Sequence, residues 1–557
     1  MTSMNLPIEL ATLSDQAVDK VCSWLEYSKK ESVPNADAKR LAAVLQDPNG
    51  LEFTVGFVDR VVRTEDREAA AHALYELGKI APSTMSFLDR AQIQAGSLVG
   101  RALPQVVVPA ARARIRQMVG HMIVDARDKQ FAKAVAEIQS DGHRLNINLL
   151  GEAVLGRKEA AKHLDDTVRL LRRPDVEYVS IKVSSVASQI SMWGFEDTVT
   201  YVVEQLTPLY IEAARAPKGT KFINLDMEEY RDLRLTMEVF KRLLSNPELH
   251  ELEAGIVLQA YLPDALGAIQ DLAEFGRERV NTGGAGVKVR LVKGANLPME
   301  HVHAQITGWP VATEPSKQAT DANYKRVLYW TMRKENMEGL RLGVAGHNLF
   351  DIAFAHLLSV ERGVADRVEF EMLQGMASDQ ARAVSVDVGE LLLYVPAVRP
   401  QEFDVAISYL VRRLEENAAS ENFMSAIFDL DADNPSFKRE ESRFRASISD
   451  LATLIDVPAP GPNHTQDRSK ETLLDAPLVP FINEPDTNPA LIQNQQWATK
   501  ALATAAEPGW LEKQTKPEVL EEGDVDKLIN DVRDAAEAWA ARPARERAEI
   551  LYKTAEI

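Results

Sequence analysis

The sequence predicts an α/β protein built on a (β/α)8 TIM-type barrel, with an N-terminal α-helical arm and a partial C-terminal domain. Three observations lead there. After Gly142, short apolar runs alternate with helix-like segments, the pattern of parallel strands joined by helical crossovers. Eight such runs fall within roughly 250 residues, the span of one closed barrel. Each run ends in a polar or charged residue, at the carboxyl-terminal rim where barrel enzymes place their chemistry. An open doubly wound sheet is the alternative.

The runs are Leu145–Leu150 ending at Glu152, Tyr178–Ile181 at Lys182, Phe222–Leu225 at Asp226 and Ile256–Leu258 at Gln259. Val287–Val292 then ends at Lys293, Leu340–Ala345 at His347, Val368–Leu373 at Gln374, and Leu391–Leu393 at Tyr394. Ahead of them, from about Ser14 to Gly142, apolar residues recur at helical spacings. Pro104 and Val106-Val107-Val108-Pro109 predict an extended stretch between two helical groups. Behind the barrel, the proline-rich segment from Val457 to Ser469 reads as a linker, and a helical unit follows. The expected boundaries are 1–142 for the arm, 143–455 for the barrel, 456–479 for the linker and 480–557 for the last unit.

Composition limits the functions available. The chain has 557 residues, 45% hydrophobic and 26% charged, with a formal charge of −19, ordinary for a globular protein and unfavourable for binding nucleic acid. Cys22 is the single cysteine, so an internal disulfide, a cysteine-based zinc site and an iron–sulfur cluster are excluded. No basic leader opens the sequence and no apolar run approaches ~18 residues, which gives a cytoplasmic expectation and no metal site.

Four segments could carry chemistry. Arg290-Leu-Val-Lys-Gly-Ala-Asn296 delivers two cations to the rim and turns through Gly294; it suits a phosphate or an electron-rich ring, or is a strand end with a snorkelling lysine. In the helix after the eighth strand, Phe403, Ile407, Leu410, Val411 and Leu414 form the apolar stripe. Tyr409, Arg412, Arg413 and Glu416 form a second stripe, either a solvated face with an Arg412–Glu416 pair or a receptor for a carboxylate. In Asn224-Leu-Asp-Met-Glu-Glu229, Asp226 is expected to face the mouth and orient a cation, with Glu228 and Glu229 starting the next helix. His301 and His303 lie about 200° apart on a helix and read as surface residues.

With these residues the chain resembles the proline dehydrogenase domain of the bifunctional proline utilization A flavoenzymes, over about residues 50 to 455. The motifs occur in order: Leu150-Gly-Glu-Ala153, Ile181-Lys-Val-Ser184, Asp226-Met-Glu-Glu229, Gln259-Ala-Tyr261, Arg290-Leu-Val-Lys-Gly-Ala295, Gly346-His-Asn348 and Tyr409-Leu-Val-Arg-Arg-Leu-Glu-Glu-Asn417. The resemblance implies noncovalent FAD, oxidation of L-proline to Δ1-pyrroline-5-carboxylate by hydride transfer to the flavin, and reoxidation by a quinone at the inner membrane face. By the same resemblance, Arg412, Arg413 and Lys182 bind the proline carboxylate and Tyr394 packs on its ring. Asp226 supports the pocket, Glu152 pairs with the arginines when the site is empty, and Arg290 lies near the flavin. Met227, Gln259, Lys293, Gly294, Ala295, Gly346, His347, Asn348 and Glu416 line the FAD site. One departure is Asn296, where many members carry an aromatic residue.

The segment Pro480-Phe-Ile-Asn-Glu-Pro-Asp-Thr487, with Trp539 and Arg545–Leu551, resembles the start of the aldehyde dehydrogenase half of those enzymes. That half needs a nucleophilic cysteine, so it is expected to be truncated and inactive, its apolar helices favouring homo-oligomers. Two other classes stay open: a barrel aldolase with Lys182 or Lys293 as Schiff base, and a scaffold without activity.

Overall fold

Among the described residues, nine parallel strands form one sheet: β1 (Val124–Asp125), β2 (Arg144–Leu149), β3 (Tyr178–Lys182), β4 (Phe222–Asp226), β5 (Ala254–Gln259), β6 (Val287–Val292), β7 (Leu340–Ala345), β8 (Val368–Leu373) and β9 (Leu392–Val398). From β2 to β8 each strand pairs with the next, and β9 pairs with both β8 and β2, closing the predicted eight-stranded barrel. This computed structural model describes residues 7–31, 44, 47–84, 93, 103–119, 122–151, 154–400, 402, 406–419, 421–427, 430–432, 434–471, 483–510 and 521–555. It divides into two bodies, one of Met1–Ile190, Glu196–Glu300 and Ala312–Asn463, the other of Ser191–Phe195, His301–Val311 and His464–Ile557.

The barrel strands alternate, but not as a plain apolar interior would require. Val179, Ile181, Ile223, Leu225, Val289, Leu291, Leu342 and Val344 are buried and face the surrounding helices. Their neighbours Tyr178, Ser180, Asn224, Asp226, Lys288, Arg290, Glu369 and Glu371 meet one another inside the barrel. Glycine makes the room: a Cβ at Gly255 would collide with the Asn224 carboxamide, and one at Gly343 with the Glu371 carboxylate. The period of two thus sorts side chains into a polar inner and an apolar outer set.

Three expectations are corrected. Val106–Pro109 is not extended: helix Pro104–Val119 runs through it, with Pro109 inside. Pro104 fits a first helical turn, where its missing N–H is no loss. Val108 packs with Ala70 and Ala71, and Val107 and Ala111 against the Phe53–Phe57–Leu74 cluster, so tertiary burial overrides the local preference. The last barrel strand continues to Val398 and is flanked there by β1, so Tyr394 sits within β9 rather than at its end. The arm, read as helical throughout, contains β1 and the π-helical turn Val58–Val62.

The N-terminal helix Ile8–Lys30 buries Leu10, Leu13, Ala17, Val21, Trp24 and Leu25. It is fastened to the barrel's helices by Trp24 Nε1 donating to Asp387 at 2.6 Å and by Arg362 pairing with Glu9 at 2.8 Å. Val58 joins Met122, Ile123, Val398, Tyr409 and Leu410 in one apolar cluster, which holds the helix after β9, Ile407–Ala418, at its place by the rim. In the second body, helix Glu522–Ala541 buries none of its residues, and Val525, Leu528, Ile529 and Val532 line an exposed face. Among the described residues no helix is long and apolar enough to cross a membrane, and no group of acid, histidine or cysteine side chains could hold a metal ion.

Candidate active site

Strand β4 ends at Asp226, and its carboxylate organises the mouth. One oxygen accepts from Arg290 NH1 at 2.9 Å and Asn224 Nδ2 at 2.7 Å; the other accepts from the Tyr394 hydroxyl at 3.2 Å. Burial pushes the Asp226 carboxyl up, against the pull of Arg290. For Arg290, burial opposes the charge, yet Glu371, Tyr178 and Asp226 hold the guanidinium well above its ordinary range. Asp226 and Arg290 thus form an ion pair at 2.9 Å. Tyr394 is fixed from its other side by the Asn148 carboxamide.

A second constellation lies around Glu228. Its carboxylate is 3.0 Å from Lys182 Nζ at the end of β3 and 3.3 Å from Arg412 NH1. Burial would raise this carboxyl, but Lys182 and Arg412 together draw it below its usual value. The backbone carbonyl of the same residue accepts from Asn296 Nδ2 at 2.8 Å, Gln259 Nε2 at 3.2 Å and the Tyr261 hydroxyl at 3.4 Å. Asn296 Oδ1 in turn accepts from Arg412 NH1 at 3.2 Å. Glu228 therefore does not serve as a helix-start acid: a 3-10 turn, Tyr230–Asp232, intervenes before helix Leu233–Leu244. Asn296, in place of an aromatic wall, joins Arg412 to this strand end.

The stripe on helix Ile407–Ala418 is not a solvated face. Tyr409 and Arg413 are buried, and Arg413 NH2, rather than Arg412, pairs with Glu416, at 2.5 Å. Successive positions separate the arginines in direction, Arg412 to the Glu228 carboxylate and Arg413 inward. Burial raises the Glu416 carboxyl in spite of Arg413. Phe403 and Glu152 lie outside the described residues.

The remaining rim residues form a partly unsatisfied polar wall. Among the described residues, Gln259 Oε1, His347 Nδ1 and Arg413 Nε are buried with no hydrogen-bond partner. His347 Nε2 accepts the Leu373 N–H at 3.0 Å, which assigns the ring proton to Nδ1 and makes that atom a donor. Burial, helped by Arg413, lowers the His347 pKa to about 3. Gly346, at φ 157°, leaves open space where a Cβ would stand. Gly294, at φ 118°, carries the turn after β6 over Tyr261, whose ring a Cβ would meet at 2.5 Å. Lys293 lies between Asp321 at 2.5 Å and Asp351 at 2.6 Å, and these carboxylates, outweighing burial, raise its pKa. Met227 is buried, Ala295 exposed, and the Asn348 oxygen caps helix Leu349–Glu361 by accepting from Phe350 N at 3.0 Å.

Sequence reasoning missed Glu371 and Lys288 inside the barrel and misread Glu228. The signal for the first two was present: Lys288 and Arg290, like Glu369 and Glu371, are two apart on buried strands, so each pair must share a face.

Comparison with known proteins bears on the family and the fold. The family model described as Proline dehydrogenase matches residues 131–426, more than half of the chain. The Bifunctional protein PutA of Salmonella typhimurium is 24% identical over 511 residues, 82% of this chain and 37% of that protein. The Proline dehydrogenase of Deinococcus radiodurans is 27% identical over 319 residues, 56% of this chain and 91% of that one. The solved structure of proline utilization A from Corynebacterium freiburgense is 42% identical with a TM-score of 0.60, covering 72% of this chain and 38% of that one. The chain thus spans little more than a third of the length of the Salmonella and Corynebacterium proteins. A matched segment that takes in every strand from β2 to β9 and the arginine-bearing helix beyond them makes this chain a member of the proline dehydrogenase family.

Proposed function

We propose that the barrel oxidises L-proline to Δ1-pyrroline-5-carboxylate with FAD as cofactor, the first step of proline catabolism. The observation that carries the reading is the Glu228 carboxylate held between Lys182 and Arg412. Two cations converging on one partly exposed carboxylate form a seat that a substrate carboxylate can take over. Lys182 and Arg412 would then bind proline's carboxylate, with Glu228 turned aside and Arg413 adding its field. Tyr394, its hydroxyl fixed by Asp226 and Asn148, presents its ring face to the substrate ring. Asp226 and Arg290 keep that wall rigid, and the helix carrying Tyr409 and Leu410 shields the site from water.

The residues present fit FAD. Gln259 Oε1, the His347 Nδ1–H and Arg413 Nε offer one acceptor and two donors without partners, and the Gly346 cradle leaves room beside them. Lys293, the Gly294 turn, Ala295, Met227, Asn348 and Glu416 complete the proposed lining. When bound, FAD supplies the oxidant that accepts a hydride from proline C5. We further assign reoxidation to a quinone at the inner membrane face, a cytoplasmic location, a homo-oligomeric state and no nucleic-acid partner. In this reading 143–455 is the active part, and the unit from residue 480 resembles the start of an aldehyde dehydrogenase half. Cys22, the single cysteine, lies on the N-terminal helix.

The test is optical. Purified protein should be yellow, with a flavin spectrum that bleaches when proline is added. A colourless protein that borohydride traps with a carbonyl substrate would replace this reading with a lysine-based aldolase.

A further inference from the structure

Beneath the rim lies a second set of charges, of which only Arg290 has a part in the proposed reaction. Lys288 and Arg290 project inward from β6, and Glu369 and Glu371 from β8. Glu371, 3% exposed, accepts from Arg290 Nε at 2.5 Å through one oxygen and stands 2.6 Å from Lys288 Nζ through the other. Glu369 also takes Lys288, and it accepts from Arg144 NH1 at 2.7 Å near the far end of the barrel. Arg144, Lys288 and Arg290 are thus matched by Glu369, Glu371 and Asp226. In the barrel register Gly343 lies beside Arg290 on one side, and on the other next to β8, where a Cβ would strike Glu371.

A guanidinium is a rigid planar fork, so holding Nε fixes where its other two nitrogens point. With Nε on Glu371, NH1 meets Asp226 at 2.9 Å and NH2 meets the Tyr178 hydroxyl at 3.3 Å. A carboxylate present only to balance charge could sit anywhere near Lys288 and Arg290. This one instead occupies a slot that a glycine keeps open, and it engages the single nitrogen that directs the fork.

We infer that Glu371 is a positioning residue: anchored below by Lys288, it aims the Arg290 guanidinium at Asp226 on the rim. The inference rests on the proline-oxidising reading, in which Arg290 stiffens the wall beside the substrate and lies near the flavin.

The test compares the flavin-loaded full chain with two variants. The first, Lys288→Met/Glu371→Gln, removes one cation and one anion together, so the buried charge stays balanced. Its urea midpoint should stay near that of the parent, while kcat with proline falls on the order of 10–100-fold, as for a misplaced catalytic group. KM should change little, the mark of an interaction made in the transition state. Its crystal structure should show the guanidinium turned away from Asp226. The second, Gly343→Ala, alters no charge and should lower kcat in the same sense by crowding Glu371. Parental kcat in both variants, with Arg290 unmoved, overturns the inference. If the parent does not bleach with proline, the proline reading falls, and the crystal structures alone decide whether Glu371 holds Arg290.

Discussion

Two three-membered charge clusters, one at the barrel rim and one inside the barrel on β6 and β8, behave as opposites. Lys182, Glu228 and Arg412 keep 16%, 32% and 31% of their side chains exposed; Lys288, Glu371 and Arg290 keep 1%, 3% and 5%. The chemical groups are nearly the same, so burial makes the difference. Partly solvated ions lose little when they separate, which lets a substrate carboxylate replace Glu228. Ions without water can leave only at a large cost, which turns the lower cluster into framework.

That contrast can be broken most directly from below. Glu371→Gln leaves Lys288 and Arg290 short of a carboxylate and should cost about 3–5 kcal/mol of stability, read from urea unfolding; a loss under ~1 kcal/mol would place the lower cluster with the upper one. Arg412→Met should weaken proline binding by about 2–3 kcal/mol, roughly 30- to 150-fold in KM, the worth of hydrogen bonds to a charged group. Its melting temperature should hardly move, and an unchanged KM would remove Arg412 from the carboxylate seat.

A third measurement uses pH. His347 is displaced downward from 6.5 to about 3, so its contribution to stability is present above pH 6.5. It is lost as pH falls from there through about 3, because in that window only the unfolded chain takes up the proton. His347→Gln should therefore flatten the fall of the urea midpoint below pH 6.5, each pKa unit being worth about 1.4 kcal/mol. The smallest effect belongs to the upper cluster: Glu228→Gln should change stability by no more than ~1 kcal/mol. It should also lower KM by removing the resident carboxylate; a raised KM would show that Glu228 helps to hold the substrate.

How far the sequence foretold this depends on the range of the interaction. Strands β6, β7 and β8 were legible to their end residues, because an apolar run bounded by glycine or charge leaves one reading. Lys182 and Asp226 were legible as strand-end groups because each apolar run closes on them, at the end of β3 and of β4. Glu228 was not, since an acid after a strand suits a helix start equally well until Lys182 and Arg412 arrive from elsewhere in the chain. The Arg290–Glu371 contact joins residues 81 positions apart; alternation shows that each faces inward but not that they meet. Helix Pro104–Val119 escaped for the opposite reason, a strong local proline signal overruled by packing.

The carbonyl of Glu228, clasped by Asn296, Gln259 and Tyr261, has a kinetic consequence. With the main chain pinned, the carboxylate can yield its place only by turning about its own side-chain bonds. Partly exposed side chains change rotamer in picoseconds to nanoseconds, whereas enzymes typically turn over ~1–10³ times per second. Clearing the seat would then add no delay to a catalytic cycle, and no loop need open to let the substrate carboxylate in.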